Sequence, residues 1–333
     1  MTNPITSKQT SEPWQQIADL RDIATLRPGL RQLTDPHHAA ELLRAEMRDR
    51  LEAVLKAFPH EPVILLSGGV DSIAVAAAAV ELGAHPHAIT VVTSEGTDAA
   101  NATVAAQALG LTHEVIELDT QAVGDLARES VTRLGTSELW EVSYAVPLLA
   151  VANSLDKRGP VGPLLTGSAA DAILAGGKTL HQPIETAAAV EELDQIIRKE
   201  SAHNFQYERL VPDFQHRILP QYEDRFIHLF QTLRFWELTE TFAPPALFGE
   251  LGGSSVDKLC LRIACEQLLP ETAKSLATAK KSPIQRSAGI MGALMDAARQ
   301  AAADLPGAQT YTNPLTESPD AVATRLYLAS LSN

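Results

Sequence analysis

Cysteine, basic residues and long apolar runs are all scarce in this 333-residue sequence. The two cysteines, Cys260 and Cys265, have no second pair or nearby histidines, so they do not form a zinc-site pattern and we expect buried thiols. The 27 lysines and arginines are outnumbered by 41 aspartates and glutamates, which argues against nucleic-acid binding, because that requires cations that neutralise phosphates. The apolar run at residues 73–80 is far shorter than the roughly 18 residues that cross a bilayer, and the first 30 residues show no signal-peptide pattern. We therefore expect a cytoplasmic protein that binds neither nucleic acid nor membrane.

Hydrophobic residues, at 45% of the chain, are sufficient for a sizeable core, and their spacing predicts an α/β fold with a parallel sheet. Thr34-Asp35-Pro36 is typical of a helix start, because it offers a capping side chain followed by a proline in the first turn. The predicted elements, in chain order, are a helix from Pro36 to Pro59, a strand at 63–66, a helix ending at Gly83, a strand at 88–93, a helix at 98–109 and a strand at 113–119.

The second part of the chain has a different character, with charged and aromatic residues at helical spacing. The predicted elements here are helices at 187–200 and 222–240, a glycine-rich loop at 246–255 and a helix at 256–269 that ends at Pro270. The predicted organisation is an extended N-terminal segment at 1–33 and one domain at 34–330, made of a nucleotide-binding core at 34–184 and a largely helical substrate-site portion at 185–330.

The peptide VILLSGGVDS joins a buried strand to a helix through a glycine turn. Gly68 and Gly69 would let backbone amides approach an anion, and Ser67 and Ser72 add hydroxyl donors near the helix N-terminus. Asp71 would repel a phosphate unless a magnesium ion lay between them. No lysine follows the glycines, so this is not a Walker-type P-loop. The alternative is an ordinary strand-to-helix turn in which Asp71 is a helix-start carboxylate.

The hexapeptide SGGVDS resembles the pyrophosphate loop of ATP pyrophosphatases, the PP-loop class, which split ATP into AMP and pyrophosphate. Three later segments are similar to motifs of the asparagine synthetase and β-lactam synthetase family. The matching residues are Gly167, Ala170, Asp171 and Gly176 in LLTGSAADAILAGG, Lys258, Leu261, Arg262, Ala264 and Leu269-Pro270 in VDKLCLRIACEQLLPETAKS, and Lys281 and Gly289 in KKSPIQRSAG. The alternatives are a capping aspartate at Asp171, an ordinary core helix and a solvated basic turn. The resemblance covers about residues 35–300.

This resemblance implies a PP-loop (adenine nucleotide α-hydrolase-like) fold and an AMP-forming amide ligase that uses ATP and Mg²⁺. In the family, a substrate carboxylate attacks the α-phosphorus of ATP, and an amine then displaces AMP from the acyl adenylate. The implied roles are magnesium binding by Asp71 and Asp171, pyrophosphate binding by Ser67, Gly68, Gly69, Ser72 and Gly167, adenine binding by the backbone near Val91 and Val92, and stabilisation of the transition state by Lys281.

Two departures from the family pattern bear on the amine. Ser168 lies in the catalytic region where asparagine synthetases have an acidic residue and β-lactam synthetases a tyrosine, and serine has no useful basicity near neutral pH. Thr2 stands where glutamine-using members carry a catalytic cysteine, and the pyrophosphate loop already begins at Ser67. We expect a free-standing synthetase domain that takes ammonia, an amine, or ammonia from a separate glutaminase or carrier protein. The alternatives are an ATP-binding partner subunit without catalysis and a base- or tRNA-modifying pyrophosphatase.

Overall fold

The structure, a computed structural model, describes residues 23, 25–27, 29–205, 210–279 and 284–331. The elements up to the fourth strand are α1 (Pro36–Ala57), β1 (Val63–Leu65), α2 (Val70–Glu81), β2 (His87–Thr93), α3 (Asp98–Ala108), β3 (His113–Leu118), α4 (Thr120–Leu134), α5 (Leu139–Leu155) and β4 (Leu164–Thr166). The later elements are α6 (Ala170–Ile173), α7 (Ala187–Phe205), α8 (Phe214–Ile218), β5 (Phe226–His228), α9 (Leu233–Thr239), α10 (Pro244–Leu247), β6 (Gly249–Leu251), β7 (Ser254–Val256), α11 (Leu259–Leu268), α12 (Ile284–Ser287), α13 (Ile290–Ala303) and α14 (Pro319–Ser330).

Five parallel strands form one sheet in the order β3-β2-β1-β4-β5. The chain runs outward from β1 to β2 and β3 and then returns to place β4 on the other side of β1. The pair β1 and β4 is therefore the point at which the direction of winding reverses. In open parallel sheets ligands bind at the carboxyl ends of strands at such a reversal. The fold thus places the turns that follow β1 and β4 side by side.

Helices cover both faces of this sheet, which confirms the predicted α/β fold. Alternate strand residues face opposite sides, so neighbouring positions enter different cores. Ile64 and Leu165 pack in the core that includes α1, α2 and α11, whereas Val63 and Leu164 pack in the core that includes α4, α5 and α13. The first ten residues of α2 are all buried, which explains why this helix is apolar on every side.

Two predictions in the second part of the chain are wrong. Residues 222–240 do not form one helix, because Phe226–His228 is the fifth strand of the sheet and only Leu233–Thr239 is helical. A three-residue strand is too short for its spacing to be distinguished from a helical turn. Residues 246–255 are not simply a loop, because they contain β6 and the start of β7, which pair as an antiparallel hairpin. The helix that follows Gly167, α6, is a single turn.

The remaining expectations concern the cysteines, the membrane and the N-terminal segment. Cys260 and Cys265 are free and buried, as predicted, and burial raises the pKa of each thiol to about 12, so neither is reactive. No helix among the described residues is long and apolar enough to cross a membrane. Most of the predicted extended segment 1–33 lies outside the described residues, but Leu33 forms an isolated parallel bridge with Phe242.

Candidate active site

The glycine turn after β1 is held in shape by its own serines. The Ser67 backbone N–H donates to Ser72 Oγ at 3.0 Å, and Ser72 Oγ lies 3.1 Å from the Ser67 carbonyl oxygen. A side chain on Gly68 would lie 3.0 Å from the Asp98 carbonyl oxygen, so the start of α3 packs closely against this turn. The turn therefore presents the N-terminus of α2 to the cleft at the end of the sheet, with the partial positive charge that favours anions.

The turn after β4 lies directly against the first turn of α2. A Cβ atom on Gly167 would stand 2.6 Å from both the Asp71 carbonyl carbon and the Ser72 backbone nitrogen, so only glycine permits this approach. Ala169 adopts a left-handed φ of 80°, which turns the chain into α6 and carries Asp171 toward α2. A side chain on Gly176 would overlap the carboxylate of Asp171. The glycines of this segment are therefore explained by the close packing of two acidic turns.

Lys258 connects the two acidic turns. Its Nζ atom lies 2.6 Å from Asp71 Oδ1 and 2.7 Å from Asp171 Oδ1. The lysine side chain is fully buried and that of Asp71 is 4% exposed, whereas that of Asp171 is 46% exposed. A buried carboxylate is costly unless it is paired, so Lys258 provides the charge that lets Asp71 lie inside the protein. The ammonium group thus holds three segments together, the start of α2, the start of α6 and the residue before α11.

A cavity of about 530 Å³ opens above these turns, within the size range of small-molecule sites. Its lining includes predicted site residues from both turns, namely Ser67, Asp71, Ser72, Gly167, Ser168 and Asp171. It also includes titratable and polar side chains from other elements, namely Glu141, Tyr144, Glu200, Gln215, His228 and Gln231. Six of the predicted phosphate-binding, metal-binding and catalytic residues therefore line one cleft, together with side chains to which the sequence analysis assigned no role.

The asparagine synthase family model matches residues 38–242, which is more than half of the chain. The chain belongs to the asparagine synthase family. This is a family of ATP-dependent synthetases, and the match confirms the resemblance seen in the sequence. The matched range includes both acidic turns and ends before Lys258.

Comparison with curated proteins gives no match. Among solved structures, the chain is similar to NMN synthetase from Francisella tularensis, with 19% identity, a TM-score of 0.31 and coverage of 42% of this chain and 58% of that one. It is also similar to a predicted subunit of tRNA methyltransferase from Methanocaldococcus jannaschii, with 21% identity, a TM-score of 0.25 and coverage of 49% of this chain and 75% of that one. The chain thus spans less than two thirds of the NMN synthetase.

Magnesium is the metal expected in an asparagine synthase family member, and the donor set can be tested against it. Mg²⁺ is usually bound by one or two carboxylates together with substrate phosphates and water. Asp71 and Asp171 provide two carboxylates in the same cleft, beside the glycine turn. Among the described residues there is no group of three histidines, cysteines or acidic side chains that could hold a metal by itself. The residues therefore fit an ion that takes its other ligands from phosphate, and not an all-protein cage.

The other predicted site residues have different outcomes. Val91 lines a small cavity that adjoins Ser67, whereas Val92 is buried and does not line it. Lys281 lies outside the described residues, and so does its neighbour Lys280. Its role in this family member therefore stays a prediction.

Sequence reasoning matched Lys258 to a family motif but gave it no role. Its position at the site depends on a left-handed backbone, with φ of 49°, at the residue before α11. Arg262, one turn later, anchors this helix start by donating to the Asp257 carbonyl oxygen at 2.7 Å and to the Ala277 carbonyl oxygen at 2.8 Å. The available signal was a lysine and an arginine four residues apart at the start of a largely apolar segment.

Proposed function

We propose that this protein is an AMP-forming amide ligase that adenylates a small carboxylate with ATP and transfers the acyl group to ammonia or an amine. One observation carries the proposal: Asp71 and Asp171, from the turns after β1 and β4, meet at Lys258 beside the glycine turn. Two carboxylates and one ammonium group leave this cluster with a formal charge of −1, which would be unfavourable for direct phosphate binding. They are suited to a magnesium-bound polyphosphate.

The first chemical step would be attack of the substrate carboxylate on the α-phosphorus of ATP, with loss of pyrophosphate. The backbone amides at the start of α2, with Ser67 and Ser72, would bind the departing pyrophosphate. Magnesium bound by Asp71 and Asp171 would supply neutralising charge at these oxygens. Positioning and charge stabilisation are the main contributions of a protein to phosphoryl and adenylyl chemistry of this kind.

The second step would be attack of the amine on the acyl carbon. The cavity lining includes the carboxylate of Glu141, which would favour a cation such as ammonium. Lys281 is proposed to stabilise negative charge at the α-phosphate and the tetrahedral centre, as the family resemblance implies. Ser168, which lines the same cavity, would contact the amine without removing its proton.

The products of ATP cleavage test the proposal directly. Wild-type protein with MgATP, ammonium and a panel of amino acids and dicarboxylic acids that begins with L-aspartate should release AMP and pyrophosphate. Asp71→Asn and Asp171→Asn should each lower pyrophosphate release by roughly 10²-fold or more, because each removes a charge that acts on the leaving group. Asp224→Asn, a change at an exposed aspartate outside the cavity, is the matched control.

Lys281→Ala belongs in the same experiment, with Lys280→Ala as its control. Lys281→Ala should leave ATP affinity within a few-fold and lower turnover by roughly 10²-fold, since a transition-state donor contributes little to ground-state binding. Release of ADP and phosphate instead of AMP and pyrophosphate would overturn the proposal. Full activity of either aspartate variant would remove the metal-binding role.

A further inference from the structure

We infer that His228 is the general base that takes the proton from the attacking amine. The inference rests on the proposed ligase activity and identifies a catalytic residue for its second step. An amine nitrogen that attacks an acyl carbon becomes positively charged and must lose a proton before the amide is stable. A general base that accepts it typically contributes 10²–10⁴-fold to the rate.

His228 lies at the carboxyl end of β5, next to the turn after β4. It is paired in register with Thr166, the residue immediately before Gly167 and Ser168. Its Nδ1 atom lies 2.9 Å from Thr166 Oγ1, which also accepts a hydrogen bond from the Ser168 N–H at 3.3 Å. The imidazole lines the cavity that contains both acidic turns. The sheet therefore places this ring beside the turn after β4, with β4 between it and the glycine turn after β1.

Two polar groups contact the ring. The side-chain nitrogen of Gln215 lies 3.4 Å from His228 Nε2, and Thr166 Oγ1 lies 2.9 Å from Nδ1. These contacts are compatible with the tautomer in which Nδ1 carries the proton and Thr166 Oγ1 accepts it, which is the tautomer that the proposed role requires. The edge of the ring meets Phe226, with ring centroids 4.8 Å apart. In this tautomer Nε2 has the lone pair that a base requires, and the 3.4 Å contact with Gln215 would be given up when Nε2 takes the proton of the amine.

The other titratable groups that line the cavity are less suited to this role. The ordinary pKa of an imidazole is about 6.5, whereas that of a carboxylate is about 4 and that of a phenol about 10. A general base is most effective when its pKa lies near the working pH. In addition, Glu200 forms an ion pair with Lys178 at 2.6 Å, and Asp71 and Asp171 are bonded to Lys258. Glu141 and Tyr144 on α5 also line the cavity, and as a carboxylate and a phenol they are disfavoured by the same comparison of ordinary pKa values.

The nitrogen lone pair of the neutral amine forms the N–C bond to the acyl carbon of the adenylate. The nitrogen proton passes to His228 Nε2 and makes the ring a cation. The bond between the acyl carbon and the phosphate oxygen breaks, and its electron pair leaves with AMP. The imidazolium then returns its proton to water, so the products are amide, AMP and one proton.

The test compares two nucleophiles with His228→Gln. Ammonia depends on a base, whereas hydroxylamine forms a more acidic protonated nitrogen that loses its proton to water readily. Wild-type protein with MgATP and the acid from the panel above should form amide with ammonium chloride and hydroxamate with hydroxylamine. In His228→Gln, amide formation should fall by roughly 10²-fold or more, while hydroxamate formation falls less than about 10-fold. Because hydroxamate formation requires a folded active site, it also shows that the variant is intact.

His216→Gln is the matched control, since His216 is an exposed histidine on α8 outside the cavity. The rate with ammonia should rise with pH through the imidazole range in wild-type protein, and this inflection should be absent from His228→Gln. Added imidazole should partly restore amide formation from ammonia by the His228→Ala variant.

Equal losses with both nucleophiles, or no loss with either, would overturn the role of His228 while leaving the ligase proposal intact. Glu141→Gln with the behaviour expected of His228→Gln would assign the base to Glu141 instead. A wild-type protein that forms neither amide nor hydroxamate with any acid of the panel would overturn the ligase proposal, and the role of His228 with it.

Discussion

Replacement of Lys258 by methionine should strongly destabilise the fold, because it removes the charge but keeps the length of the side chain. The lysine is fully buried and bonds to Asp71 Oδ1 at 2.6 Å and to Asp171 Oδ1 at 2.7 Å. Removing one partner of a buried ion pair costs about 3–5 kcal/mol, since the remaining charge is left without compensation. In a chain of this size that loss corresponds to a decrease in Tm on the order of 10 °C.

The two aspartates should respond differently to the loss of the lysine, because their exposures differ. Asp71 is 4% exposed and Asp171 is 46% exposed, so water can solvate only the second carboxylate well. Lys258→Met combined with Asp71→Asn should therefore regain about 2 kcal/mol or more, because asparagine fills the same space without a charge. Lys258→Met combined with Asp171→Asn should regain less than about 1 kcal/mol.

Urea unfolding of the four proteins, followed by tryptophan fluorescence, gives the free energies that this comparison requires. Magnesium and nucleotides must be left out, since binding to the native state would shift the apparent stability. A loss below about 1 kcal/mol in Lys258→Met would show that Asp71 is not dependent on the lysine. Equal recovery from the two aspartate changes would contradict the role assigned to burial.

Two further changes test the packing of the site and the effect of pH. A Cβ atom in Gly167→Ala would stand 2.6 Å from the Ser72 backbone nitrogen, so we expect the free energy of urea unfolding to fall by about 1–3 kcal/mol. In the control Gly159→Ala a Cβ atom meets nothing within 4 Å, so the change should be nearly neutral. A similar loss in both variants would show that the predicted clash is not the cause. Burial, and secondarily the charge of His87, lowers the pKa of His113 below its ordinary value of 6.5. Just below pH 6.5 the unfolded chain therefore binds more protons at this residue than the folded protein does. The free energy of unfolding should fall as the pH is lowered through this window. In His113→Gln the urea midpoint should depend less on pH in this window than it does in the wild-type protein. Parallel profiles of the two proteins would show that His113 does not cause this pH dependence.

The first part of the fold was predictable because several independent signals agree there. The helix that begins at Pro36 is capped by Asp35, whose side chain accepts hydrogen bonds from the backbone N–H groups of His37 and His38. It also has apolar residues at helical spacing along most of its length. β5 carried no such signals, because three residues contain less than one helical turn and only one and a half periods of the strand pattern. Its place beside β4 is a property of the whole sheet and not of its own sequence.

The same distinction separates the two halves of the site. The turns with Asp71 and Asp171 follow apolar runs, and the carboxyl ends of parallel strands share one edge, so their proximity was predictable. Lys258 comes from a helix start whose direction depends on a left-handed residue, and nothing in its neighbourhood indicates where that helix packs. The position of His228 could not be predicted without knowledge that β5 pairs with β4.

The sequence separation of the three charged residues has a consequence during synthesis of the chain. Lys258 is 187 residues from Asp71 and 87 residues from Asp171, yet one nitrogen contacts both carboxylates. A ribosome that has released only residues 1–242 has supplied all five strands of the sheet and the whole of the family-matched range, but not the cation between the acidic turns. In such an intermediate the two carboxylates would repel each other, because their shared counter-charge is still missing. We therefore expect the cleft between the two acidic turns to close late in folding, and we expect binding of MgATP to report completion of α11 and not merely formation of the sheet.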